Sequence, residues 1–196
     1  MKKIMYIILL VIVVILLVWT AISYFLNRSV KTPDYTVVEK SEGYEIRSYK
    51  PYLTAQVEVA GTYDEAMNQG FRILADYIFG NNTKQTGIAM TAPVVETGDN
   101  KKRIISFVIP FEYTLETLPK PNNPEVKIVP QKARKVAVLR FSWFRNALRV
   151  AGKKQELLKL LERDSIKPKG LPEYAGYNAP FTAPWLNRNE VMIEIE

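Results

Sequence analysis

The chain opens with an apolar run over residues 4–26 that carries no charge, and only Thr20 and Ser23 in it are neither apolar nor aromatic. A backbone in hydrocarbon must satisfy its own hydrogen bonds, so this run is confined to an α-helix. At about 1.5 Å per residue the helix is roughly 34 Å long, against a hydrocarbon core of about 30 Å. Lys2 and Lys3 precede the run, and Asn27, Arg28 and Lys31 follow it. A cleaved signal has a shorter apolar region and a small-residue cleavage site. The nearest candidate here, Ala21-Ile22-Ser23, lies deep inside the run. Residues 1–31 are therefore expected to be an uncleaved, single-pass membrane anchor, and 32–196 the body. The short basic N-terminus favours an extracytoplasmic body, although basic residues on both flanks weaken that discrimination.

The body has the length of one ordinary domain. With no cysteine it has no disulfide and no thiolate metal site. With no histidine it lacks the usual general base and the commonest metal ligand. The net charge is +7, of which Lys2, Lys3, Arg28 and Lys31 beside the anchor supply four. The remaining excess is ordinary and gives no argument for nucleic acid.

Alternating patterns place strands at "YEIRSY" (44–49) and "YLTAQVEVA" (52–60), the second with Ala55, Val57 and Val59 on one face. A helix is expected next. Thr62 with Glu65 forms a capping box, Met67, Phe71, Leu74 and Ile78 recur at helical spacing, and Gly80-Asn81 stops it. "RIISFVIP" (103–110) is a strand reached through the turn "TGDNKKR" (97–103). The proline-rich "LPKPNNPE" (118–125) is a connector. Strands then follow at 126–131 and 133–142, an amphipathic helix at 153–164 and a closing strand at 190–196.

Thr-Ala-Pro occurs twice, at Thr91 and at Thr182. A shift of 82 residues lays Ala55, Val57 and Val59 on Ala137, Leu139 and Phe141, and Tyr44, Ile46 and Ser48 on Val126, Ile128 and Pro130. The tripeptides are 91 apart, so the spacing grows by nine residues after the helices, the loop-length change expected between two copies of one unit. Two strand-strand-helix-strand halves are expected, over roughly 34–113 and 125–196, against the alternative of chance likeness between two βα units. Such halves give an α+β domain with a sheet curled toward a barrel and two helices against it. A cleft between helices and sheet is the natural ligand site.

"GYEIRSY", "GTYDEAMNQGFRILADYIFGNN", "IAMTAPV" and "AGYNAPFTAPWLNRNEV", in that order, resemble the SOUL family of haem-binding proteins over essentially the whole body. The resemblance implies a distorted eight-stranded β-barrel with two flanking helices, built from two pseudo-symmetric halves. It also implies haem or a related tetrapyrrole as ligand. The position of a histidine proposed as iron ligand in some members is Ser48 here, a poor iron ligand. Other members are thought to hold the porphyrin against an apolar helix face with basic side chains at the propionates. Positions basic in those members match Asn68 and Asp76, and a methionine position matches Ala75. Arg72 is the basic residue left on this helix, and an aspartate facing a propionate would repel it.

The candidate ligand-binding residues are Met67, Asn68, Phe71, Arg72, Ala75, Asp76, Met90 and Tyr177. Each has a plainer reading. Met67, Phe71 and Leu74 form a stripe that core packing alone explains. Gly70 admits either a flat ligand or a neighbouring strand. Met90 offers a thioether to iron or simply packs. Tyr44, Tyr49, Tyr174 and Tyr177 offer phenolate ligands or propionate donors, or are buried anchors of a loop. Arg188-Asn189-Glu190 reads as a turn that ties down the last strand. Trp143 and Phe144, beside Arg145 and Arg149, suit a membrane interface, a partner surface or burial under the second helix.

No phosphate loop, nucleophile elbow or metal-ligand spacing is present. The expected function is a membrane-anchored, non-enzymatic protein that binds haem without histidine ligation. The alternative is a ligand-sensing or protein-interaction module for other bulky apolar molecules. The fold resembles the effector-binding domains of multidrug-responsive transcription activators. No protein partner is named by the sequence.

Overall fold

The computed structural model describes residues 2–28, 30–99 and 101–196. Met1 and Ser29 of the N-terminal segment, and Asn100 of the turn before Arg103, lie outside the described residues. Helix α1 (Lys2–Arg28) is the apolar run, long and apolar enough to cross a membrane.

The body is α+β. Nine strands form one antiparallel sheet: β1 (Tyr35–Ser41), β2 (Tyr44–Tyr49), β3 (Tyr52–Val59), β4 (Val94–Gly98), β5 (Arg103–Val108), β6 (Lys127–Gln131), β7 (Arg134–Phe141), β8 (Pro168–Gly176) and β9 (Asn189–Ile195). Helices α2 (Tyr63–Ile78) and α3 (Ala147–Arg163) lie against it. The order is β1-β2-β7-β9-β8-β4-β5-β3-β6. Apart from β1, this order is unchanged when the two halves exchange places: β2 with β6, β3 with β7, β4 with β8, β5 with β9. The pseudo-twofold passes through the β4–β8 seam, and each half lends its first strand to the other. The end strands β1 and β6 share no ladder among the described residues.

The repeat is thus strand-strand-helix-strand-strand, one strand longer than the sequence pattern indicates. The 82-residue shift carries β3 onto β7 end to end, and the six matched side chains from Ala55 to Phe141 all enter one core cluster. The tripeptides, however, are not equivalent. The first leads into β4, whereas β8 separates α3 from the second, which leads into β9. Their 91-residue spacing is therefore not a loop-length difference between copies.

Local chemistry fixes the helices. Thr62 caps α2 through the Glu65 backbone N–H, and the Glu65 carboxylate accepts from the Thr62 N–H at 2.9 Å. Gly70 lets α2 approach β5, because a Cβ there would stand 2.7 Å from Ile105 Cβ. Asn146 caps α3 by accepting from the Arg149 N–H at 2.8 Å, so that helix starts six residues earlier than its amphipathic pattern suggests.

Candidate functional site

A cavity of about 460 Å³ opens at the end of the β4–β8 seam, where Val94 and Gly176 are paired. Its walls come from α2 (Met67, Asn68, Phe71), the loop before β4 (Met90, Thr91, Ala92) and the segment after β8 (Gly176, Tyr177, Asn178, Ala179, Pro180, Phe181). Leu26, Asn27 and Val30, at the end of α1 and just after it, complete the wall together with Arg145. Five of the eight candidates named from the sequence, Met67, Asn68, Phe71, Met90 and Tyr177, meet there. Arg72, Ala75 and Asp76 do not line it. Arg72 and Asp76 are exposed, Ala75 is buried, and the Asp76 carboxylate accepts from the Asn81 amide. An aspartate so placed does not oppose an anionic ligand in this cavity.

The lining is mostly apolar. Phe71 stands edge-on to Phe107 at 5.2 Å between ring centres, which sets its ring at the cavity wall. The cation in the wall is Arg145, beside the Tyr174 hydroxyl and with no ion-pair partner among the described residues. The sequence offered Arg145 only as a neighbour of Trp143 and Phe144. Those two rings are exposed and edge-on to each other, not buried under α3. The Trp143 backbone is held at φ +83°, with its N–H donating to Pro184 O.

Tyr177 faces the cavity while its hydroxyl donates to Glu190 Oε2 at 2.8 Å. Burial, and the Glu190 carboxylate beside it, push this phenol well above its ordinary pKa. It therefore stays protonated near neutral pH and is unsuited to phenolate ligation. Glu190, fully buried, also accepts from Arg47 and Arg188. Burial pushes its carboxyl up, but the two guanidiniums prevail and hold it below the usual range. Arg188-Asn189-Glu190 accordingly ties β9 to β2 and to Tyr177, with Asn189 and Glu190 already in the strand. A second buried centre, Glu96, accepts from Arg103 and, at 2.9 Å, from Lys154. Neither network was visible in the sequence, since Arg47 lies 143 positions from Glu190 and Lys154 lies 58 from Glu96. Among the described residues no group of three His, Cys, Asp or Glu side chains could hold a metal.

The second Thr-Ala-Pro segment receives helix α1, and the first receives the chain just after it. Ser23 Oγ accepts from the Ala183 N–H at 2.9 Å, Asn27 Nδ2 donates to Thr182 Oγ1 at 3.0 Å, and Trp19 Nε1 donates to Phe181 O at 2.9 Å. Trp19 meets Trp185 edge-on at 5.4 Å. After the helix, Lys31 O accepts from the Ala92 N–H at 2.9 Å. The repeated tripeptide thus marks two edges of one seat.

The family model described as SOUL heme-binding protein matches residues 30–194. Heme-binding protein 2 of Homo sapiens is 32% identical over 176 residues, covering 83% of this chain and 84% of that protein. Heme-binding protein 1 of Bos taurus is 28% identical over 177 residues, covering 84% and 92%. Among solved structures, the C-terminal domain of EcmrR superposes with a TM-score of 0.62 at 10% identity, covering 83% of this chain and 98% of that one. The last likeness concerns the fold alone.

Proposed function

The chain belongs to the SOUL heme-binding protein family, and on that premise we propose that its body, residues 32–196, holds haem or a related tetrapyrrole in the cavity at the β4–β8 seam. The observation that carries the proposal is the cavity itself. Met67, Phe71 and Met90 give it apolar walls, Arg145 gives it one cation, and its volume falls within the usual range for small-ligand sites, roughly 300–1,000 Å³. A tetrapyrrole needs this combination, an apolar enclosure for the macrocycle and a cation for carboxylate side chains. Asn68 adds an amide at the same wall.

Iron ligation would not involve histidine, since the chain has none. The Tyr177 phenol is engaged with Glu190, which leaves the thioethers of Met67 and Met90 or an exogenous ligand. Haem would supply the redox and gas-binding chemistry of its iron; the protein's part is to enclose and orient it. The curated relatives are named as binding proteins, and we read this chain likewise, as a binding protein rather than an enzyme. It is held at a membrane by α1 as a single span, with the body on the extracytoplasmic side.

Because Leu26, Asn27 and Val30 contribute to the wall, the test requires the full chain. Haemin titrated into the protein in nanodiscs, followed at the Soret band, should show saturable one-to-one binding without a six-coordinate bis-imidazole spectrum. Phe71→Glu should weaken it at least tenfold. Binding no tighter than to an unrelated single-pass protein, or unaffected by Phe71→Glu, overturns the proposal.

A further inference from the structure

The depth of the body relative to the bilayer follows from where α1 first touches it. Residues 4–18 are exposed throughout, and among the described residues no hydrogen bond or ring contact joins them to the body. Contact begins at Trp19 and continues at Ser23 and Asn27. Fifteen free residues span about 22 Å, whereas the hydrocarbon core is about 30 Å thick. The missing ~8 Å is about five residues of helix, which brings positions 19–23 into the bilayer. Those are the residues that hold Phe181, Ala183 and Trp185. Read as a span, α1 thus carries the body against the bilayer.

The surface around that contact has the chemistry such a position needs. Trp143, Phe144, Leu148, Phe181 and Trp185 are all exposed, Leu148 by 87%. The segments that carry these residues, 1–33, 141–155 and 176–189, contain no Asp or Glu, and Glu112, which meets Lys31 beyond α1, is already paired there. Arg28, Arg145 and Arg149 have no ion-pair partner among the described residues. Exposed aromatics with unopposed arginines match an interfacial belt over anionic headgroups, each cation near the surface adding attraction.

Resting on the reading of α1 as a membrane span, we propose that this face is a membrane-contact surface, seated in the headgroup layer of an anionic leaflet. The cavity mouth belongs to the same face, since Leu26, Arg145 and Phe181 are both exposed and lining. Apolar ligand is therefore exchanged with the leaflet rather than with bulk water.

The three tryptophans, Trp19, Trp143 and Trp185, make the test direct. The full chain is placed in nanodiscs of phosphatidylcholine and phosphatidylglycerol, with acyl chains brominated at carbons 6 and 7 or unbrominated. Trp19→Phe with Trp185→Phe leaves Trp143 as reporter of the face, and Trp143→Phe with Trp185→Phe leaves Trp19 as reporter of the span. Both reporters should lose at least half their emission to bromine. Arg145→Glu with Arg149→Glu should restore emission from Trp143 while Trp19 stays quenched. Should the paired substitutions loosen the docked helix, the difference between wild type and Trp143→Phe alone reports the same ring. Trp19 quenched with Trp143 bright and open to aqueous iodide overturns the proposal and leaves the span standing. Trp143 shielded from both quenchers places a second copy or another protein on the face, and overturns it too. Neither ring quenched removes the membrane span and this surface together.

Discussion

Arg47 and Glu190 lie 143 positions apart and meet through two parallel hydrogen bonds, Nη1 to Oε2 at 2.8 Å and Nη2 to Oε1 at 3.0 Å, with both side chains almost fully buried. Removing one member of a buried pair leaves the other charge without its compensation, at about 3–5 kcal/mol. Arg188 still faces Glu190, which places Arg47→Met at the lower end of that range. Pairing Arg47→Met with Glu190→Leu should recover part of the loss, because two apolar side chains leave no bare carboxylate. Urea unfolding of wild type, the two single variants and the double variant checks this. A double variant no more stable than Arg47→Met alone would show that the pair is not what holds β2 to β9.

The same carboxylate sets a pH dependence. Its folded pKa lies below the ordinary value of about 4.3, so the unfolded chain takes up the proton first as pH falls. The stabilisation is fully present above about pH 5 and is lost on acidification through the folded pKa. The stability gap between wild type and Glu190→Gln should therefore be level from pH 7 to 5 and narrow below it. Denaturation midpoints at half-unit steps decide, and a gap that widens in acid would contradict the sign.

Gly70→Ala sets two effects against each other. Alanine favours a helix interior by about 1 kcal/mol over glycine, whereas an added methyl in a filled core costs about 1–3 kcal/mol. Here the new Cβ would lie 2.7 Å from Ile105 Cβ, and both branches of that side chain are in the way. Net destabilisation of about 1 kcal/mol is expected, and Gly70→Ala should cost less when added to Ile105→Ala than when added to wild type. Thermal melting of the single and double variants measures both.

Much of this architecture can be read from the chain. The capping box at Thr62, the apolar stripe of α2 and the shift that lays β3 on β7 are local or periodic signals, and all appear in the fold. Three strands give no such signal. β1 is an edge strand with an exposed central run, β4 is five residues long, and β8 carries two prolines and a register break between Lys169 and Glu173. The cavity is half legible for a similar reason. Met67, Asn68 and Phe71 share one helix face, but Arg145 reaches the cavity only because the chain folds back at Trp143, whose positive φ no tryptophan advertises.

Arg145 gives the ligand reading its sharpest electrostatic test. A charge-assisted contact to a carboxylate contributes about 1.5–3 kcal/mol, and this side chain is solvent-accessible, so the lower figure applies, about tenfold in affinity. Arg145→Ala should weaken haemin about tenfold and leave haemin dimethyl ester, which has no carboxylate, unchanged. Equal loss for both porphyrins would mean that Arg145 shapes the wall rather than meeting a charge.

Ser23 interrupts the apolar run, and the structure gives that interruption a use. Its hydroxyl is the acceptor for the buried Ala183 N–H, in the loop that carries Phe181 into the cavity wall. Ser23→Ala removes the acceptor and leaves a buried donor unmet, at about 1–3 kcal/mol, which the chain can avoid by letting the loop leave α1. Thr20→Ala is the matched control, because the Thr20 hydroxyl donates to Leu16 O within its own helix. Haemin should dissociate about fivefold faster or more from Ser23→Ala in nanodiscs, with the unfolding midpoint of the body little changed and Thr20→Ala like wild type. Stopped-flow transfer of haemin to apomyoglobin reads the rate. Equal rates for all three would mean that the end of α1 lies beside the cavity without closing it.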